Sequence, residues 1–273
     1  MNTHRIKPSI VGKHMLMIFA SLIFVFPVYW MIISSFKGQG EIFGTGLVPT
    51  QWTLENYQYA FANMPIWKMM QNSFIIAIAL TTLQLTTGVL AAYALARFKF
   101  PGKSVIMVLF SLTWLIPIQS IMIPNYVTVV QMGLKDNPIA VILPYAASAF
   151  AILNLLQTFN AFPKALIEAS KMDGDSEVKT LCRVVIPNVK ASISSLGILL
   201  FINSWNEYMW PMLVMTKLEK APIQIGLRSF VGSDVNMWGS LMAATTISCL
   251  PILIVYLLLQ RQGVDSFVKW GIK

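Results

Sequence analysis

Along the chain, six apolar runs alternate with short polar segments. Runs of about 20 residues without Lys or Arg occupy 15–36, 72–96, 104–124, 139–159, 191–214 and 239–260. At about 1.5 Å of rise per residue, each is long enough as an α-helix to cross a hydrocarbon layer of about 30 Å. This pattern predicts an all-α membrane protein with six transmembrane helices, because a spanning segment must satisfy its own backbone groups. The first run is followed by the polar Lys37-Gly38-Gln39 with no small-residue cleavage site, so it is expected to remain a span and not to be a cleaved leader. An even number of crossings puts both termini on one side.

Prolines fall inside five of the runs, at Pro27, Pro117, Pro144, Pro211 and Pro251. Each is expected to kink its helix where neighbours satisfy the freed carbonyl. Between the first two runs, the turn-rich KGQGEIFGTGLVPT leads into WTLENYQYAFANM. There Thr53 is expected to cap a short surface helix, with Trp52, Tyr57 and Phe61 at the membrane interface. Trp30, Trp114 and Trp238 offer ring faces that could meet a sugar, but read mainly as belt residues.

Composition agrees with a lipid solvent: 56% of residues are hydrophobic and 11% charged, more apolar and less charged than an ordinary soluble domain. The net charge of +9 has a topological reading. With the N-terminus inside, fourteen Lys and Arg lie in inner segments and six in outer ones, which places the termini (1–14 and 261–273) and the 160–190 loop in the cytoplasm. The same charge attracts anionic lipid headgroups, and no basic run interleaved with aromatics implies nucleic acid.

Several chemistries are excluded. The only histidines, His4 and His14, sit near the N-terminus, which removes membrane-embedded His hydrolase or metal sites. Cys182 falls in a cytoplasmic loop and Cys249 within the last span, so neither a disulfide nor a metal set is expected. The PGKS at 101–104 ends like a phosphate loop, but the earlier glycine would fall at Arg97. No catalytic residue, metal site or bound cofactor is therefore expected, and the chain does not read as an enzyme.

The most polar stretch is EASKMDGDSEVKTLCRVVIP at 168–187. Pro163 suits a first helical position and Gly174 a helix stop, giving a helix of about eleven residues. Asp175 or Ser176 then caps a second helix with Glu177 in its first turn, and Pro187 closes it. Leu166, Ala169, Ser170 and Asp173 share one face of the first helix, flanked by Glu168 and Lys171. Two readings stand: a solvated amphipathic loop, or a helix shaped to be gripped by a partner. In the fifth run, Glu207 is the only acidic or basic side chain inside any span. Asn203, Asn206, Glu207 and Trp210 follow i, i+3, i+4, i+7 and form one stripe, which either locks neighbouring helices, gates, or meets the hydroxyls and ring of a sugar. Spans without Lys or Arg fit a neutral solute.

The spacing Glu168-Ala169-Ser170, three residues, Gly174, nine residues, Val184-Val185-Ile186-Pro187 resembles the cytoplasmic coupling motif of ATP-binding-cassette (ABC) importer permeases. That motif reads Glu-Ala-Ala, three residues, Gly, nine residues, Ile-x-Leu-Pro; Ser170 replaces the second Ala, and Val and Ile replace Ile and Leu. ENYQYAF at 55–61, NSF at 72, AAYALARFKFPGK at 91–103, PKALIEA at 163–169 and SWNEYMWP at 204–211 are similar to landmarks of the maltose-type carbohydrate permeases. The resemblance implies a coupling loop between spans 4 and 5, in which Leu166, Glu168, Ala169, Ser170, Met172, Asp173, Gly174 and Pro187 engage an ATPase. It also implies a homologous second permease, two cytoplasmic ABC ATPase subunits that hold the ATP and Mg, and an extracytoplasmic solute-binding protein. The setting is the prokaryotic inner membrane. The cargo is expected to be a sugar, oligosaccharide or related polyol, with Asn203, Asn206, Glu207 and Trp210 in the pathway or gate, unless the partner permease carries the contacts. The alternatives are an importer for glycerol-phosphate-type substrates, an ion-coupled secondary transporter using Glu207, and a non-transport scaffold.

Overall fold

A computed structural model describes the backbone of residues 8–231 and 237–271, and the side chains over 11–231 and 237–258. Residues 1–7, including His4, lie outside the described residues, as do the side chains of the expected tail at 261–273. Among the described residues the fold is helical without a strand. In order come α1 (Pro8–Ser34), α2 (Glu55–Asn63), α3 (Ile66–Arg97), α4 (Lys103–Leu115), α5 (Ile118–Gln131), α6 (Pro138–Ile142) and α7 (Ala149–Asn160). They are followed by α8 (Lys164–Met172), α9 (Glu177–Thr180), a π-turn (Leu181–Val185), α10 (Ile186–Asn206), α11 (Met209–Val214), α12 (Ile223–Ser229) and α13 (Trp238–Gly271).

Four stretches are long and apolar enough to cross a membrane: Val11–Ser34, Ile66–Arg97, Glu177–Val214 and Trp238–Leu258. Two further candidates are bent pairs, Lys103–Leu115 with Ile118–Gln131 at 95° and Pro138–Tyr145 with Ala149–Asn160 at 46°. The prolines account for the difference from six straight runs. Pro117 lacks an N–H and sets Ile116 to an extended ψ of 122°, so the 104–124 run breaks where a mild kink was expected. Pro144 lies in a short 3₁₀ turn, after which Ser148 restarts the chain by accepting the Ala151 N–H (3.3 Å). Pro27 and Pro251 stay within continuous helices.

The fifth run departs most. Pro187 does not close a helix; it sits in the first turn of α10, where a missing N–H is tolerated. Ahead of it, the π-turn shifts the hydrogen-bond register, and the Asn188 side chain donates to the Val184 carbonyl (2.7 Å). Helix thus begins at Glu177 and continues through 190. It stops at Asn206, because Glu207 is extended (ψ 125°), and restarts as α11.

The chain divides into two compact units: the part up to Ile66 with Leu227–Cys249, and Trp67–Gly226 with the part from Leu250. In the first, Leu16, Phe19 and Phe24 of α1 are exposed, a surface that needs lipid or another apolar chain around it. Lys37 is buried beyond the end of α1, donating to the Gly46 carbonyl (2.6 Å) with its ammonium 4.1 Å from the Trp30 ring centre. Asn56 of α2 is buried and donates to the carbonyls of Ser35 (3.0 Å) and Lys37 (2.7 Å). Gly239 makes room for it, since a Cβ there would lie 2.3 Å from the Asn56 Oδ1. Leu54, not Thr53, is the N-cap of α2; Thr53, one position earlier, accepts the Glu55 N–H with its hydroxyl (3.1 Å).

In the second unit, Tyr93, Leu155, Phe159, Ile167, Val185 and Leu196 belong to one buried core built from α3, α7, α8, the π-turn and α10. Small residues let the helices close in: a Cβ on Gly88 would meet Leu155 at 3.2 Å, and one on Gly197 would meet Leu85 at 3.2 Å. Away from this core, Asp136 stands in the left-handed region (φ 59°) and joins two loops. Its carboxylate accepts the Thr216 hydroxyl (2.7 Å) and the N–H groups of Thr216 (2.6 Å) and Lys217 (3.0 Å).

Gly239→Ala is expected to destabilise the protein by about 1–3 kcal/mol, because the added methyl needs the space of a buried, doubly bonded amide; a melt compared with Gly12→Ala, where nothing lies within 4 Å, checks this. The hydrogen bonds from Thr216, with Lys217 adding to them, hold the Asp136 carboxyl down to about 2. A folded value below the ordinary one of about 3.9 means that this tie contributes stability at neutral pH and loses it as pH falls through about 2. Melting temperature is therefore expected to fall more between pH 4 and pH 2 in the unmutated protein than in Asp136→Asn.

Candidate functional site

The polar stretch at 168–187 folds as a short helix, a sharp turn and a capped second helix. Pro163 sits one position earlier than expected, as the N-cap of α8. The C-terminus of α8 closes as a Schellman motif, with the Asp175 N–H bonding the Ser170 carbonyl (3.1 Å) and the Gly174 N–H the Lys171 carbonyl (3.0 Å). This closure requires a left-handed residue, and Gly174 supplies it at φ 84°. Ser176 is the residue that caps α9, accepting the Lys179 N–H (3.4 Å).

Ser170 does not join the outward face. It is buried and donates to the Asp175 carboxylate (3.1 Å), so the 3.1 Å contact with Thr180 has the Thr180 hydroxyl donating. The residue that departs from the Glu-Ala-Ala pattern is thus a latch between α8 and α9. The Lys179 ammonium, followed by the Ser170 hydroxyl, keeps the Asp175 carboxyl below the usual carboxylate range. On the other side of α8, Leu166, Glu168, Ala169, Met172 and Asp173 are exposed, Met172 by 90%.

Glu177 carries more than a place in a first turn. Its carboxylate accepts the Tyr93 hydroxyl (2.9 Å), pairs with Lys171, and lies 4.0 Å from the Arg97 Nε. Tyr93 and Arg97 are i and i+4 on α3, so one acid joins α3, α8 and α9. The sequence hid this junction because Tyr93 lies 84 residues away; the cue available was the Tyr93 and Arg97 pair within AAYALAR.

A second feature is a cavity of about 430 Å³ lined by α3, α4, α6, α7 and α10 and by Gln84, Trp114, Tyr145, Asn203, Glu207 and Trp210 among others. Three of the four stripe residues meet there. Asn206 does not: its Oδ1 accepts from Gln224 Nε2 (3.4 Å). Glu207 accepts the Trp210 N–H (3.1 Å) and so starts α11, while Trp210 is buried and donates from its ring to the Ala140 carbonyl (3.1 Å). The walls carry ring pairs, Tyr145 edge-on to Trp210 at 5.7 Å and Trp114 beside Phe150 at 6.0 Å. The lining holds one carboxylate and no Lys or Arg. Trp114, read from sequence mainly as a belt residue, lines this cavity, whereas Tyr145 and Phe150 were not singled out from sequence.

Comparison with known proteins gives a family. The model for the binding-protein-dependent transport system inner membrane component matches residues 84–262. The sn-glycerol-3-phosphate transport system permease protein UgpE of Escherichia coli strain UTI89 is 28% identical over 268 residues, 94% of this chain and 95% of the relative. UgpE of Shigella flexneri serotype 5b is 27% identical over the same length and coverage. In structure, a bacterial ABC transporter involved in the import of the acidic polysaccharide alginate aligns with a TM-score of 0.79 at 24% identity, covering 93% of this chain and 95% of that one, a likeness of fold. The chain therefore belongs to the family of binding-protein-dependent transport system inner membrane components, as a permease subunit of the ABC-importer type.

Proposed function

We propose that this permease forms half of the pathway of an ATP-driven importer for a neutral sugar or related polyol, and couples to a separate ATPase through α8. The carrying observation is the asymmetry of α8. Its inner side is fixed by buried Ile167 and by the Ser170 latch, while its outer side leaves Leu166, Ala169 and Met172 bare. A helix that is braced behind and apolar in front is suited to insertion into a partner's cleft. Six crossings, with each bent pair counted as one, and a cytoplasmic position for both termini and the 160–190 segment agree with the fourteen-to-six distribution of Lys and Arg. The assembly then holds a homologous second permease, two ATPase subunits that bind ATP and Mg, and an extracytoplasmic solute-binding protein.

The cavity supports a neutral cargo. Aromatic faces suit the C–H surface of a sugar ring, Gln84 and Asn203 offer amides to hydroxyls, and Glu207 repels an anion. A glycerol-phosphate-type cargo is the second reading, favoured by the relatives' names; it requires the other permease or a helix N-terminus to supply the positive end.

Ala169→Trp is expected to insert normally yet lose about tenfold or more in ATPase co-purification, because a large ring blocks a close helix contact. In vesicles reconstituted with all subunits, neutral sugars are expected to raise ATP hydrolysis and glycerol phosphate not. Uptake by this chain without any ATPase, or unchanged co-purification with Ala169→Trp, would overturn the reading.

A further inference from the structure

Beyond the exposed face of α8 lies the question of what the helix pushes against. One route is covalent: α9, the π-turn and α10 follow α8 directly. The second is Glu177. Its carboxylate takes the Tyr93 hydroxyl from α3, pairs with Lys171 of α8, and faces Arg97 of α3 at 4.0 Å. Tyr93 is itself held, buried at 6% exposure with its ring edge-on to Phe159 of α7 at 6.1 Å. The space beside this cluster is not filled by side chains: a small cavity lined by Tyr93, Arg97, Phe159, Phe162, Ile167 and Val185 lies where α3, α7, α8 and the π-turn converge. Where packing leaves a gap, a charge-assisted hydrogen bond of fixed length is the stiffer link.

We propose that Glu177 is the positioning residue that ties α8 to α3, so that displacement of α8 moves α3 together with α10 and not α10 alone. The proposal rests on α8 being the ATPase-coupling helix. Glu177 touches no substrate; it acts through Tyr93, Arg97 and Lys171. The motion enters at α8, crosses the carboxylate to the Arg97 end of α3, and travels along a rigid helix of 32 residues whose middle carries Gln84 and Leu80 into the larger cavity. Without the tie, α8 still moves with the ATPase, but α3 lags. The cost appears as ATP spent without transport.

The test is the number of ATP molecules hydrolysed per solute imported in vesicles containing the complete transporter, for the unmutated protein, Tyr93→Phe, Glu177→Gln and Glu177→Ala. Tyr93→Phe removes one oxygen and keeps the packed ring. The expected result is a graded rise in that ratio, smallest for Tyr93→Phe and about fivefold or more for Glu177→Ala, the size set by losing polar contacts, with ATPase co-purification unchanged. Tyr93→Phe combined with Glu177→Ala is expected to match Glu177→Ala alone, since both break one link. An unchanged ratio in Tyr93→Phe and Glu177→Ala, or uptake that falls only in proportion to lost assembly, overturns the tie. If the unmutated chain binds no ATPase, it is the reading of α8 that fails.

Discussion

In hydrocarbon, a backbone N–H or C=O has no water to turn to, and every break in a helix must be mended from within. This chain breaks its helices repeatedly, and at several of the irregular points a side chain takes up a neighbouring backbone group. Near Pro144, Gln84 donates to the Tyr145 carbonyl (2.8 Å). Ahead of Pro187, Asn188 reaches the Val184 carbonyl. At the stop after Asn206, Glu207 accepts the Trp210 N–H, and the Trp210 ring serves the Ala140 carbonyl in the next layer. The polar residues in the spans therefore do double work: the groups that make irregular backbone tolerable also give the cavity its hydrogen-bonding character.

This dual use ties the cavity to the breaks in the helices around it. Glu207 starts α11 and also lines the cavity; Gln84 mends α6 and lines it too. A solute that draws these side chains to itself competes with the bonds that hold the broken helices in shape. Recognition and conformational change are then parts of one hydrogen-bond economy. At the opposite end, α8 is closed by backbone bonds, a glycine and a serine latch, with little freedom left in it. Such a segment transmits displacement without absorbing it.

Much of this was legible in the residues. Apolar runs without Lys or Arg marked the four long candidate spans and the two bent pairs, and Gly174 and Ser176 announced the turn because only a glycine readily takes φ 84° and only a short polar side chain caps well. The sites of error share one cause, namely that tertiary partners overrule local rules. Pro187 looked like a terminator, but it stands in the first turn of α10 directly after a π-turn, where a missing donor is tolerated. Ser170 looked like part of a docking face, but it is turned inward by Asp175 and Thr180. The stripe from Asn203 to Trp210 assumed one unbroken helix, but the helix stops after Asn206, whose amide bonds Gln224 instead of facing the cavity. Glu177 and Asp136 were invisible as hubs because their partners are distant in the chain.

The π-turn has a geometric corollary. It holds one residue more per turn than the helices around it, which rotates whatever precedes it by about 100° around the α10 axis relative to a regular helix. The azimuth of α8 is therefore counted out in residues between Gly174 and Pro187, and the length of that stretch acts as a phase setting. Deleting a single residue there swings α8 to another quarter of the compass.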